Sequence, residues 1–251
     1  MDYYYYEKQF DLGNGEKFAL TNVDSCFLLC ATVTGNEDLY YERLDEDSKA
    51  TYASCDPDMT AQANKMMAWI EDTLKAQAED PSVVWKASNM HHPMYGAHYN
   101  DNTNIIDHFL PLAEKYGLDA YFNGHEHLLN YAYIPKGESH NHTYDPNSRL
   151  EEEDDTCHHN AEFFPEDGPE KDSRFISWNQ GDALHQMTIG ASGQFTYNLC
   201  DSHMQSTAGH FKYIQNKRNG FAIVHATSEK FTVEIKGIDY HHILPIWQPF
   251  Q

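Results

Sequence analysis

The sequence predicts an α/β fold. Short apolar runs recur along the chain, two stretches with helical apolar spacing lie among them, and Gly, Pro, Asn and Asp punctuate the junctions. Histidines cluster directly after two of the apolar runs, where strand ends would present them.

The elements follow in order. Tyr3 to Phe10 and Phe18 to Val23 read as strands joined by Gly13-Asn14-Gly15, an Asn-Gly hairpin signal. A charge-rich loop covers Gly35 to Asp58. Thr60 then caps a helix in which Ala63, Met66, Met67, Ile70 and Leu74 share one face, the spacing of a core-packing helix. Val83 to Ala87 is the next strand. A second helix runs from about Asn104 to Tyr116 with Ile105, Ile106, Phe109 and Leu112 inward, Pro111 as a kink candidate and Gly117 as its stop. Leu118 to Phe122, Leu128 to Ile134, Gln186 to Ile189, Phe221 to His225 and Phe231 to Ile235 complete the strands, the last two turning at Ser228-Glu229-Lys230.

Between Lys136 and Asp182 the pattern breaks. This segment holds 13 acidic and 4 basic residues, with an unbroken acidic run from Glu151 to Asp155. It reads as a solvated acidic insertion, residues 136–182, within a single unit spanning residues 1–251, and its His140, His142, His158 and His159 read as incidental. An excursion at that point could cover the mouth of a site or make a subunit contact, and the residues do not choose between the two.

Composition bounds the partners. With 40% hydrophobic and 14% aromatic residues the chain carries enough apolar surface for a folded core. A formal net charge of −22, from 39 acidic against 17 basic residues, excludes a nucleic-acid backbone or an anionic membrane as a natural partner. No stretch approaches the roughly 20 apolar residues of a membrane span. Met1 leads straight into strand-like sequence, so no signal peptide is visible. The five cysteines, Cys26, Cys30, Cys55, Cys157 and Cys200, contain no Cys-x-x-Cys metal motif, and Asn141-His142-Thr143 is a glycosylation sequon.

The chemistry concentrates at Gly124-His125-Glu126-His127, which follows the apolar run Leu118 to Phe122. If extended backbone continues through it, His125 and His127 face one way and Glu126 the other. Residues two apart in a strand are roughly 6–7 Å apart, so each imidazole could approach one ion of a metal pair. His91-His92-Pro93 likewise follows the strand Val83 to Ala87, and the two clusters suggest one shared site.

The order strand, His-x-Pro, helix ending in Tyr116-Gly117, strand, Gly-His-x-His, strand resembles the C-terminal half of the calcineurin-like metallophosphoesterases, and within them the purple, tartrate-resistant acid phosphatases. That resemblance implies an α/β sandwich of mixed sheets flanked by helices. It implies that His91 and His125 bind one metal ion and His127 the other, the pair being iron with zinc, manganese or iron, while a lone ion on His91, His125 and His127 is the simpler variant. It implies a role for His98 in polarising substrate or protonating the leaving group, and a supporting role for His92. Gly190-Ala191-Ser192-Gly193 resembles the family's Gly-Ala turn, which lets backbone pass close to the site. Cys30 stands near a structural cysteine of the family, but the position of that cysteine's partner falls at about Asn104, so no pairing is assigned.

The family's Gly-Asp and Gly-Asn-His elements, which supply the bridging carboxylate and most remaining ligands, have no counterpart here, since Gly35-Asn36-Glu37 and Gly13-Asn14-Gly15 lack the histidine. The expectation is therefore part of an acid phosphatase for phosphate monoesters, completed by an N-terminal half on the same or a separate chain, with Met1 as an internal residue of that longer protein. Alone, the chain should be inactive. The alternative is a catalytically silent scaffold used for assembly or adhesion, and a phosphoesterase of nucleotides, phosphodiesters or sphingolipids is a third option. The resemblance and the sequon together point to an extracytoplasmic glycoprotein, secreted or lysosomal or vacuolar.

Overall fold

The structure, a computed structural model, describes residues 5–28, 57–98, 101–137, 157–158, 160–163, 178–193, 195–200 and 210–238. The Gly35 to Asp58 loop up to residue 56, Cys30, Cys55, the sequon and most of the acidic insertion, with His140, His142 and His159, lie outside these residues.

Chain order starts with β1 (Tyr5–Gly13), β2 (Glu16–Val23), a short α1 (Ser25–Leu28), α2 (Pro57–Glu79), β3 (Val83–Asn89), α3 (Thr103–Lys115), β4 (Ala120–Asn123) and β5 (Leu129–Pro135). It continues with β6 (Cys157–His158), β7 (Glu162–Phe163), β8 (Ala183–Ile189), β9 (Leu199–Cys200), β10 (Phe211–Gln215), β11 (Asn219–Ala226) and β12 (Phe231–Ile238). Eight strands form one mixed sheet in the order β1-β2-β3-β4-β8-β5-β10-β7. Its centre, β2, β3, β4 and β8, is parallel, and the flanking strands are antiparallel.

The parallel centre follows from the helices. A right-handed crossover through a helix is the ordinary link between neighbouring parallel strands, and α2 and α3 supply two of them. Most of the expected stripes are buried: Met66, Ile70 and Leu74 of α2, and Ile105, Ile106 and Phe109 of α3, pack with Leu118, Tyr121, Ala132, Ile134 and Leu184 of the sheet side, and Ala63 is buried too. Met67 and Leu112 are only partly buried, and Leu110 takes the inward place expected of Leu112. On the opposite face Phe18, Ala87, Ala120 and Met187 pack with Phe231, Val233 and Ala226 of the β11–β12 hairpin. The β1–β2 hairpin turns at Gly13, Asn14 and Gly15, all at positive φ, which is the conformation an Asn-Gly turn demands.

Three differences from the sequence reading have clear causes. α2 begins at Pro57, before Thr60, because proline is pre-organised for a first helical turn. β10 was not expected: Phe211-Lys212-Tyr213-Ile214-Gln215 is short and lacks a clean alternation of apolar and polar residues, and it is held by pairing with β5 and β7. The segment 136–182 closes as an excursion between adjacent antiparallel strands, with Pro135 opposite Ala183. Part of it is not loop, however. β7 extends the main sheet at its edge, and β6 pairs with β9 beside the Cys157–Cys200 disulfide.

Candidate metal centre

The parallel strands β2, β3 and β4 all end toward one side of the sheet, and the loops that leave them build the site there, as open parallel sheets generally place it. A cavity of about 560 Å³ opens at these ends, lined by Asn22, Asp24, Asn89, His91, Asn123 and Gly124 among others. His91 and His92 leave β3, and His125 leaves β4.

Two buried polar side chains hold the His91 loop. Gln186 of β8, fully buried, accepts the N–H groups of Met94 and Tyr95 through Oε1, at 2.9 and 3.1 Å, and donates Nε2 to the Tyr95 carbonyl at 2.7 Å. Glu126, also fully buried, accepts the N–H groups of Ala97 and His98, at 2.9 and 2.8 Å. The acid of the Gly-His-Glu-His motif thus ties one histidine-bearing loop to the other. The Gly124 N–H closes the link by donating to the His91 carbonyl at 2.9 Å.

The extended backbone expected through the motif stops at Asn123. From there the chain turns, with Glu126 N–H donating to Gly124 O and Leu128 N–H to Glu126 O, both at 2.8 Å, and His125 adopts φ 63°. A non-glycine residue in the left-handed region is strained. As a result His125 and His127 are not disposed as strand neighbours. The ring nitrogens that lie within 4.8 Å of one another belong to His91, His92 and His125. His127 instead stacks on Tyr197, ring centroids 4.2 Å apart, with Phe195 edge-on at 5.4 Å.

The hydrogen bonds define which nitrogens can hold an ion. His125 Nδ1 lies 3.2 Å from His91 Nε2, so at this contact one imidazole donates a proton and the other accepts it. The Ser25 hydroxyl accepts the N–H groups of His91 and His92, which fills its two acceptor positions, so its own proton goes to His92 Nδ1 at 2.8 Å. His92 then carries its proton on Nε2 and presents a donor, in keeping with a supporting role. His127 Nδ1 is buried with no hydrogen-bond partner, the condition of a nitrogen that lacks its natural ligand. His98 Nδ1 lies 2.7 Å from the Asn198 carbonyl, which can only accept, so Nδ1 carries a proton and Nε2 is the nitrogen that exchanges one.

Electrostatics favour neutral imidazoles. Burial, with the nearby His125 and His91, pushes His92 down to about 3. Burial, with His91, His127 and His98 around it, pushes His125 down to about 4. Both rings keep their neutral form through mildly acid pH. The donor set suits a transition metal, because neutral imidazole binds zinc, iron and manganese alike. With His92 turned to Ser25, the candidate ligands are His91, His125 and His127, and no carboxylate stands among them, so among the described residues the fit is to one ion rather than to two adjacent dications.

The sequence reading missed Ser25, Glu126, Gln186 and Tyr197. For Glu126 a signal existed, an acid enclosed by two motif histidines; the other three reveal themselves only through contacts distant in sequence. Asp101 is a further buried acid at this end of the sheet, accepting the Gly96 N–H at 3.1 Å and pushed up to about 7 by burial and the neighbouring Glu126. No helix among the described residues is long and apolar enough to cross a membrane.

A family model described as calcineurin-like phosphoesterase matches residues 2–129. No curated protein sequence matches the chain. Among solved structures the chain is similar to GAP50, the anchor in the inner membrane complex of Plasmodium, at 11% identity and a TM-score of 0.47, over 93% of this chain and 50% of that one. It is also similar to the purple acid phosphatase PPD1 from yellow lupin (Lupinus luteus) seeds, at 13% identity and a TM-score of 0.39, over 95% of this chain and 34% of that one. The chain therefore spans half the length of the first and about a third of the second.

Proposed function

The chain belongs to the calcineurin-like phosphoesterase family, and we propose that it is the C-terminal, histidine-bearing part of a dinuclear-metal acid phosphatase acting on phosphate monoesters. The observation that carries the reading is the convergence of His91, His92 and His125 at the strand ends, beside His127 with its unpartnered buried nitrogen.

In this reading His91 and His125 hold one ion, His127 the other, and His98 serves the leaving group. When bound, the ions, iron with zinc, manganese or iron, supply Lewis-acid polarisation of the phosphoryl group. The chain's own residues do the rest. Ser25 and Gln186 orient the loop that presents His91, and Glu126 fixes His98 relative to the motif. A carbonyl on Nδ1 of His98 stabilises its imidazolium, so Nε2 can deliver a proton to a departing alkoxide. The absence of a carboxylate from the three-histidine group is the reason an N-terminal half is required. The Cys157–Cys200 disulfide supports an extracytoplasmic location, where such bonds persist.

The test is reconstitution. Expressed alone, the 251-residue chain should hydrolyse p-nitrophenyl phosphate no faster than a metal-buffer control. In a full-length or reconstituted form, His91→Ala and His125→Ala should each weaken one ion preferentially and His127→Ala the other, with activity falling by orders of magnitude, while His92→Ala is far milder. Elemental analysis counts the ions. Metal-free, inactive full-length protein would favour the scaffold alternative, and robust activity of the isolated chain abolished by His125→Ala would sink the half-site argument.

A further inference from the structure

Tyr197 and Asn198 lie 70 residues beyond the Gly-His-Glu-His motif yet hold its His127, and His98 from the other loop, by ring and by backbone. The Tyr197 ring stacks on His127, centroids 4.2 Å apart at 15°, and on His98, 4.5 Å apart at 22°. The Tyr197 N–H donates to the His127 carbonyl at 3.1 Å, and the Asn198 carbonyl meets His98 Nδ1 at 2.7 Å. Neither contact is an accident of surface packing, because the strip is anchored from below.

The anchor is Asn216, only 1% exposed. Its Nδ2 donates to the carbonyls of Tyr197 and His158, both at 2.8 Å, its Oδ1 accepts the Ala161 N–H at 2.7 Å, and its own N–H donates to the Ala161 carbonyl at 3.1 Å. Two residues after Asn198, Cys200 is bonded to Cys157, and Leu199 pairs with His158. Cys157, His158 and Ala161, part of the acidic insertion, are thus built onto the same strip that touches His98 and His127. A buried side chain whose amide joins three backbone segments is a specific connector, since each group left unmade would cost a desolvation penalty.

We propose that Tyr197 is a positioning residue that holds the His98 and His127 imidazoles at the site, and that Asn216 and the Cys157–Cys200 disulfide couple it to the insertion. The proposal rests on the reading of His98 and His127 as functional, and it assigns the insertion a purpose: its folded base sets the aromatic wall against which both rings are oriented. Stacking fixes the plane of an imidazole, and a metal ligand or proton donor works only when its lone pair or N–H points at the target.

The experiment uses the 251-residue chain with zinc as the probe. Ring protons stacked on an aromatic face resonate upfield, so the His98 and His127 ring resonances should be displaced in the native chain and in Tyr197→Phe. In Tyr197→Leu both should return to ordinary positions, and zinc binding should weaken about two- to tenfold, the range expected of a stacked aromatic pair. The double variant Cys157→Ser with Cys200→Ser, which leaves the ring in place, should broaden or shift the same resonances to a lesser extent.

Zinc affinity lost in His127→Ala but unchanged in Tyr197→Leu, with both histidine resonances unmoved, overturns the positioning role. If His127→Ala leaves zinc binding unchanged, the ligand assignment of His127 fails instead, and the resonances alone decide the role of Tyr197. Should Tyr197→Leu not fold, the double cysteine variant decides: unshifted resonances there overturn the coupling to the insertion.

Discussion

Gly190→Ala should damage the site more than any change at the motif glycine itself. Gly190 directly follows β8 and passes under the histidine motif, where an added Cβ would stand 1.8 Å from the Glu126 carbonyl oxygen and 2.7 Å from its carbonyl carbon. Both atoms are backbone, so no side chain can swing aside. Ordinary contact begins about 1.5 Å farther out, and the Glu126 peptide, flanked by His125 and His127, must retreat by a distance of that order. Overpacking of this kind costs about 1–3 kcal/mol. For a chain of this size that lowers Tm by roughly 2–12 °C. Because the retreat carries both imidazoles with it, a shift near 1 Å should, on the proposed phosphatase reading, also lower the activity of a reconstituted protein by about 100-fold. Gly124→Ala is the control: the same added atom meets nothing nearer than 3.9 Å, so despite its place in the motif it should lower Tm by far less. Thermal unfolding and zinc titration of the two variants compare them directly. Equal behaviour, or a worse Gly124→Ala, would refute the argument from close backbone approach.

Other consequences follow from the same geometry. Asp101 holds its proton to about pH 7 when folded, but an unfolded carboxyl releases it near 4, so stability falls as pH rises between these values and the penalty is complete above 7. Asp101→Asn keeps an acceptor for Gly96 and should remove that slope, adding up to about 4 kcal/mol at pH 8, and urea titrations across pH 4–8 measure it. Glu126→Gln replaces a carboxylate that accepts two N–H groups with an amide that accepts through one oxygen only, so it should destabilise by about 1–3 kcal/mol in denaturant melts. An unchanged midpoint would mean the link between the two histidine loops is dispensable. Removing residues 136–182 and closing with a short turn should leave a cooperatively folding core, since loop length has little effect on closure entropy. It also removes β7 and the partner of Cys200, so a lower Tm and a strand edge prone to self-association are expected, readable by calorimetry and light scattering.

What could be read from sequence was what depends on neighbours along the chain. Ile105, Ile106 and Phe109 recur at helical spacing, Asn14-Gly15 specifies a turn, and His91 and His125 each follow an apolar run, so strands, helices and the site's two loops were all visible as local patterns. The α/β class and the resemblance to metallophosphoesterases came from that order alone. The arrangement inside the site did not, because it depends on which strand ends the sheet places side by side. Extended spacing suggested that His125 and His127 share a face, but the close pass of Gly190 under Glu126 and the left-handed turn at His125 bring His92 to His91 and His125, and send His127 to Tyr197. The partners that orient these rings, Ser25, Gln186 and Tyr197, lie 60 to 100 residues from the histidines they serve or on separate strands. No periodicity records such pairs, since only the burial and hydrogen bonding of the completed fold select them.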